Sequence, residues 1–138
     1  MRSILFIAAI LVLSLVSCKK EEKNEIKAPE QQIPSITVNS VSDSAKFNSG
    51  DTVWIIGSFA DPVELHEFSI EVKHAQYDTL MASVYNGHSH EKQVDFNQYW
   101  VADVHDHTDL HLVFKASNHN DVETEKRIPI HVHPMGHH

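Results

Sequence analysis

Residues 52–59 read Thr-Val-Trp-Ile-Ile-Gly-Ser-Phe, a run dominated by β-branched and aromatic side chains. Such side chains favour an extended backbone because they pack well on a pleated surface. Turn residues bound the run on both sides, with Gly50-Asp51 before it and Asp61-Pro62 after it. The run is therefore predicted to be a buried β-strand.

Shorter stretches on either side of this run alternate apolar and polar residues, as half-buried strands do. They begin near Ile36, Phe68, Trp100, Leu110 and Ile128. No stretch carries a sustained apolar repeat at helical spacing. About seven short strands separated by turn residues predict an all-β fold, an immunoglobulin-like antiparallel β-sandwich.

Two segments do not fit this pattern clearly. Residues 43–50 are rich in Ser, Asp, Asn and Gly, which is typical of a turn. Residues 76–97 are expected to hold a long functional loop, apart from a short strand at 80–84, because binding residues concentrate on loops.

The N-terminus predicts export and lipidation. A positively charged start precedes an apolar run from Ile4 to Val16, which is shorter than the ~20 residues of a spanning helix. The run ends in Leu15-Val16-Ser17-Cys18, which resembles a lipobox. Residues 1–17 are therefore expected to be a cleaved lipoprotein signal peptide. Lipid chains on Cys18 would then anchor the protein to a membrane, since two or more chains hold stably.

The remaining chain divides into a tether, a domain and a tail. Residues 18–33 carry the lipidated Cys and a charged, apolar-poor tether that is expected to be disordered. Residues 34–134 are the predicted sandwich, and residues 135–138 are a tail. Lys20-Glu21-Glu22 resembles an export signal for surface display. The anchored protein is therefore expected in the outer membrane of the cell envelope, on either the periplasmic or the surface leaflet.

Charge and cysteine content limit the partners. The net charge is −8 at pH 7, which argues against nucleic acid and is compatible with cations. Cys18 is the only cysteine, so the domain is expected to have neither disulfides nor thiolate metal ligands.

Histidines carry the functional hypothesis. The chain has 12, and all of them lie from His66 onward. Three His-x-His pairs occur, and residues i and i+2 of a strand share a face about 6.6 Å apart. Imidazole suits Zn²⁺, Cu²⁺ and Ni²⁺. The pairs are His88/His90, His105/His107 and His131/His133.

These residues are expected to form one of two metal sites. The preferred site is formed where a loop folds over the sandwich edge. It has five histidines as candidate ligands: His74, His88, His90, His105 and His107. The second candidate lies on the outer face of the closing hairpin. There a loop centred near 120–121 would place His111 opposite His131, with His133 on the same face.

A set of short elements resembles a group of uncharacterised Bacteroidota lipoproteins with one immunoglobulin-like domain. The elements are Gly50-Asp51-Thr52, Phe59-Ala60-Asp61 with Leu65, a strand ending in His74, Gly87-His88-Ser89-His90 and the closing hairpin. The resemblance covers about 40–134 and implies the fold rather than a mechanism. The loop Asn118-His119-Asn120-Asp121 departs from that group's usual aspartate-glycine turn.

The sequence favours binding over catalysis. It contains no His-Glu-x-x-His, no Gly-x-Ser-x-Gly and no phosphate-binding glycine loop, so the protein is not expected to be an enzyme. The leading hypothesis is a membrane-anchored domain that binds Zn²⁺ or Cu²⁺ for buffering, scavenging or delivery at the envelope. Histidine-based pH sensing is one alternative. Another is a structural or adhesive module that binds an envelope protein or glycan through Tyr77, Tyr85 and Tyr99.

Overall fold

The computed structural model describes residues 32–136, and this range contains eight strands and no helix. The predicted signal peptide, Cys18 and the tether up to residue 31 lie outside the described residues, as do His137 and His138. The strands are β1 (Ser35–Val38), β2 (Ala45–Asn48), β3 (Thr52–Ala60), β4 (Leu65–His74), β5 (Leu80–His88), β6 (Gln93–Val101), β7 (Thr108–Asn118) and β8 (Glu123–His133).

The strands form two sheets around one apolar core, so the all-β sandwich prediction is confirmed. One sheet has the order β1-β3-β6 and the other has the order β2-β8-β7-β4-β5. Phe59 lies at the centre of the core, where its ring centroid is 4.9 Å from that of Phe96 and 5.3 Å from that of Phe68.

The run that predicted the fold is strand β3. Val53, Ile55 and Phe59 are fully buried, while Trp54 and Ile56 face outward. Gly57 continues the inward row, and a Cβ atom there would overlap the carbonyl oxygen of Thr37 on β1. Only glycine therefore allows β1 to approach β3 at this point.

Three details differ from the prediction. The segment 43–50 contains strand β2 in addition to its turns, and β2 runs parallel to β8 while the other pairs are antiparallel. The segment 76–97 holds all of β5 and about half of β6 rather than a long loop. Strand β5 is a sheet edge whose side chains are mostly exposed, so its apolar alternation is weak. The immunoglobulin-like assignment stays a prediction.

The antiparallel order of the larger sheet defines two ends of the molecule. Strand β7 spans Thr108–Asn118, a length of about 35 Å at the usual rise per residue. We call the end at Thr108 the first pole and the end at Asn118 the second pole.

Within residues 32–136, no helix is long and apolar enough to cross a membrane.

Candidate metal centres

Three histidines meet at the first pole, and we call them the three-histidine cluster: His107, His131 and His133. His131 and His133 alternate on β8 with Ile130 and Val132, which are buried in the core, so both imidazoles face outward. Strand β2 flanks them, pairing Lys46 with His131.

His107 reaches the same place from the connection that leads into β7. Thr108 pairs with Val132 in the β7–β8 ladder, so the residue before Thr108 lies beside the end of β8. The Thr108 hydroxyl donates a hydrogen bond to the Asp106 carbonyl at 2.8 Å, which holds the turn. The cluster therefore combines two ligands on a strand with one on a short loop.

Two nitrogen–nitrogen distances in this cluster are close to those that a bound metal ion requires. His107 Nδ1 lies 3.3 Å from His131 Nε2 and 3.1 Å from His133 Nδ1. A tetrahedral ion with metal–nitrogen bonds of about 2.0–2.1 Å holds its ligand nitrogens about 3.3 Å apart. Three ligands leave a fourth position open, and His107 is exposed to solvent.

Asp109 orients the imidazole of His131 by contacting Nδ1, while Nε2 faces the cluster. Its carboxylate lies 2.7 Å from His131 Nδ1, directly across the β7–β8 ladder. An Nδ1–H that donates to this carboxylate leaves the Nε2 lone pair directed at the cluster, as outer carboxylates do in many metal sites. The same hydrogen bond is the main reason that the pKa of Asp109 is below its usual value.

The surroundings also favour the neutral form of His133 by lowering its pKa. Partial burial lowers the pKa of His133 below its ordinary value, and the charges of His131, His107 and Lys46 lower it further. Because only a neutral imidazole binds a metal ion, this shift favours ligation. His131 and His133 line a surface cavity of about 440 Å³ with Lys46, Pro129 and Ile130.

Six residues meet at the second pole, and we call them the Glu64 cluster. They come from the start of β4 and the loop before it, from the end of β5 and the segment after it, and from the β7–β8 loop, which the antiparallel register brings together. The members form two groups of three residues each, Glu64/His90/His119 and His66/Glu67/His88.

A buried aspartate shapes the loop that carries Glu64. The Asp61 carboxylate accepts hydrogen bonds from the backbone N–H groups of Val63 and Glu64 at 2.9 and 3.0 Å. Burial alone would raise the pKa of Asp61, but these two bonds and one from Asn118 outweigh it, so the pKa lies below its usual value. The turn after Asp61 is thus held by its own side chain.

Backbone hydrogen bonds join this loop to the segment after β5. Leu65 N–H donates to the Glu91 carbonyl, and Ser89 N–H donates to the His66 carbonyl, both at 2.9 Å. His88 and His90 are therefore placed beside Glu64 and His66 by main-chain contacts.

The glycine before His88 has a packing role. A Cβ on Gly87 would lie 2.6 Å from the Phe68 ring, which is too close for any other residue without movement. Gly87 pairs with Phe68 in the β4–β5 ladder, and the next pair is Glu67 with His88. The absence of a side chain at Gly87 therefore lets the end of β5 lie against β4 and positions His88.

The polar contacts within the Glu64 cluster are short. Glu64 Oε1 lies 2.8 Å from both His90 Nδ1 and His119 Nε2. The hydrogen bond with His90 is the largest reason that the pKa of Glu64 is lowered, with further contributions from the charges of His119, His90 and His88. His88 Nε2 lies 3.1 Å from His90 Nε2. One carboxylate and two imidazoles form a donor set that suits zinc.

The two sites predicted from the sequence are arranged differently in the structure. His88 and His90 lie at the second pole, whereas His74 and His107 lie at the first pole and line one cavity there. Since β5 runs antiparallel to β4, the end of β5 meets the start of β4 rather than His74 at its end. His74 instead accepts a hydrogen bond from Gln76 N–H at 3.2 Å and packs on Tyr77.

The remaining predicted ligands also separate. Among the described residues, His105 joins no group of converging ligand atoms. His111 pairs with Pro129 instead of His131, because the β7–β8 register is shifted by two residues from the expected one. His111 shares the outer cavity with His131 and His133, and its Nδ1 is buried without a partner. Asp109 takes the place opposite His131 where His111 was expected, and His107 is the third histidine of the cluster.

Four residues of the Glu64 cluster were not assigned a ligand role from the sequence: Glu64, His66, Glu67 and His119. His66 and His119 both occur at strand ends, and antiparallel neighbours bring the start of one strand to the end of the next. The Asp61-Pro62 turn signal marks the loop that carries Glu64.

Comparison with protein-family models found no match for this chain. Comparison with curated proteins found none either.

Proposed function

We propose that the protein is a lipid-anchored module of the cell envelope that binds Zn²⁺ or Cu²⁺ through histidines on its β-sandwich, and that it buffers, scavenges or delivers the ion there. The observation that carries the proposal is the convergence of three imidazole nitrogens in the three-histidine cluster, with Asp109 behind His131. The chain's acidic charge supports attraction of cations.

The donor set limits the metal. Three imidazoles with an open fourth position suit Zn²⁺ and Cu²⁺ better than Ca²⁺ or Mg²⁺, which prefer oxygen ligands. For one nitrogen-based site, affinity rises from Ni²⁺ to Cu²⁺ and falls again to Zn²⁺. Copper is therefore expected to bind most tightly in vitro.

Calorimetric titration of the full chain in detergent tests the proposal. His137 and His138 are both replaced by Ala in every sample, because paired terminal histidines bind metals nonspecifically. His131→Ala is expected to remove one zinc-binding event, and the matched control His105→Ala is expected to leave it intact. Binding weaker than about 100 μM, or about −5.5 kcal/mol, for zinc, copper and nickel alike would contradict the proposal.

Membrane anchoring is a separate part of the proposal. It rests on Leu15-Val16-Ser17-Cys18 and on the apolar run before it. Cys18→Ser is expected to abolish incorporation of labelled palmitate and to move the protein out of the membrane fraction. Unchanged labelling of the variant would contradict lipidation at Cys18.

A second function is favoured by the outer face of the smaller sheet. Trp54 and Tyr99 are 53% and 60% exposed there, with ring centroids 5.5 Å apart. Paired exposed aromatics are typical of protein and glycan contacts. Of the tyrosines expected to serve an adhesive role, Tyr85 packs on Phe68 and Tyr77 is exposed beside His74, whereas Tyr99 pairs with a second exposed aromatic residue, Trp54. Binding to envelope glycans that is lost in Trp54→Ala but kept in His131→Ala would support this second function.

A further inference from the structure

The four histidines of the Glu64 cluster form a closed ring of contacts. The ring centroids of His66 and His88 are 4.7 Å apart, and those of His88 and His90 are also 4.7 Å apart. His90 and His119 are 4.9 Å apart, and His119 and His66 are 4.4 Å apart. The Glu64 cluster thus holds four imidazoles in mutual contact, one more than the three-histidine cluster offers to a single ion.

The six residues divide into two complete ligand groups without sharing a member. The ligand atoms of Glu64, His90 and His119 lie within 4.8 Å of one another, and so do those of His66, Glu67 and His88. Each group contains one carboxylate and two imidazoles, so each would neutralise part of the charge of its own divalent ion. A single-ion site would need no second carboxylate.

His90 connects the two groups. Its Nδ1 faces Glu64 and His119 at 2.8 and 3.1 Å, and its Nε2 faces His88 Nε2 at 3.1 Å. A neutral imidazole has one N–H and one lone pair, so one nitrogen alone can ligate while the ring is neutral. If both nitrogens bind ions, the ring has lost both N–H protons and bridges the ions as an imidazolate.

We propose that the Glu64 cluster is a dinuclear transition-metal site in which one ion binds to Glu64, His90 and His119, a second binds to His66, Glu67 and His88, and the His90 ring bridges them. This inference rests on the proposed metal-binding function and extends it to a second site of different composition. Both groups open to solvent: His119 is 39% exposed, and Glu67 and His88 line a cavity of about 500 Å³. Both ions can therefore enter from outside.

Metal counting tests the stoichiometry. The full chain in detergent, with His137→Ala and His138→Ala, receives His107→Ala and His133→Ala to remove the three-histidine cluster. After equilibrium dialysis against zinc, elemental analysis of this background is expected to show two zinc ions per chain. Glu64→Gln with His119→Ala is expected to leave one ion, and so is His66→Ala with Glu67→Gln.

The outcomes distinguish the inference from the proposed function. One ion in the background, lost completely in either double variant, would mean a single-ion cage and would overturn the dinuclear site. No ion in the background but one in the chain with an intact three-histidine cluster would overturn the inference and leave the proposed function standing. No ion in either chain would overturn both.

Copper tests the bridge. Two Cu²⁺ ions joined by an imidazolate couple antiferromagnetically, so the integrated electron paramagnetic resonance signal of the background is expected to fall below its copper content. His90→Ala is expected to restore one spin per copper ion that remains bound. A full signal before the substitution would overturn the bridging role of His90.

Discussion

Asn118 Nδ2 lies 3.1 Å from the Asp61 carboxylate, and both side chains are buried. The same amide group donates to the Gln32 carbonyl, while Asn118 Oδ1 accepts from the N–H groups of Asn120 and Val122. This contact joins the loop that carries Glu64 to the loop that carries His119. The Glu64 cluster thus depends on a buried polar pair outside its own ligands.

The first prediction concerns the stability contribution of this pair. In Asp61→Asn an amide replaces the carboxylate, and Asn118 cannot turn its oxygen toward it because that oxygen already accepts two backbone bonds. A buried donor is left without an acceptor, so the free energy of unfolding is expected to fall by about 1–3 kcal/mol. Urea unfolding with a chelator present measures the change. Asp103→Asn, at an exposed position, is the control, and equal stability of the two variants would contradict the prediction.

The second prediction is the pH dependence of the same pair. The pKa of Asp61 is lower in the folded protein than its usual value, so its carboxylate stabilises the fold above about pH 4 and loses this effect as pH falls through the folded pKa. The stability difference between the parent and Asp61→Asn is therefore expected to stay level above about pH 5 and to narrow as the pH falls below about 4. Urea titrations at a series of pH values measure it. A difference that stays constant with pH would show that the charge of Asp61 is not involved.

The third prediction concerns Asp109 and the first pole. Without the carboxylate, His131 loses the group that fixes its tautomer and ring orientation, and zinc affinity of the three-histidine cluster is expected to fall about 10- to 100-fold. Asp109→Ala is titrated with zinc in a background of His88→Ala and His90→Ala, which weakens the second pole. Asp106→Ala is the matched control on the neighbouring turn. Equal zinc affinity of the two variants would show that Asp109 does not support zinc binding at this site.

The fourth prediction concerns Gly87. A methyl group there would lie 2.6 Å from the Phe68 ring, so either the ring or the end of β5 must shift. Overpacking of this kind costs about 1–3 kcal/mol, and the shift is expected to weaken zinc binding at the second pole by displacing His88. Gly136→Ala, where no atom lies within 4 Å of the added carbon, is the control. Thermal unfolding and zinc titration of both variants measure the effects, and a Gly87→Ala protein that matches the control in both would refute the packing role.

Local sequence patterns predicted the strands well where both faces have a defined environment. Strand β3 was predicted at nearly its full length because Val53, Ile55 and Phe59 are all buried. Strand β5 was only partly predicted, since an edge strand with exposed side chains lacks the alternation on which the prediction depends. The parallel β2–β8 pair is a long-range contact that no local pattern indicates.

The clusters were harder to predict because they depend on which strand ends meet. Five of the six histidines in the His-x-His pairs enter the clusters, but the pairs did not identify which other residues join them. A shift of two residues in the β7–β8 register replaces His111 by Asp109 opposite His131. Strand order, which places β5 and β7 on either side of β4, then brings His88 and His119 to the same pole. Neither the register nor the order can be read from local spacing.

Anomalous diffraction from crystals of the zinc-loaded protein, recorded above and below the zinc absorption edge, locates the bound ions and so tests metal binding by the three-histidine cluster. A zinc ion bonded to His107, His131 and His133 is expected at the first pole. Zinc peaks found only at lattice contacts or on His137 and His138, with the three imidazoles still hydrogen-bonded to one another, would contradict metal binding by this cluster.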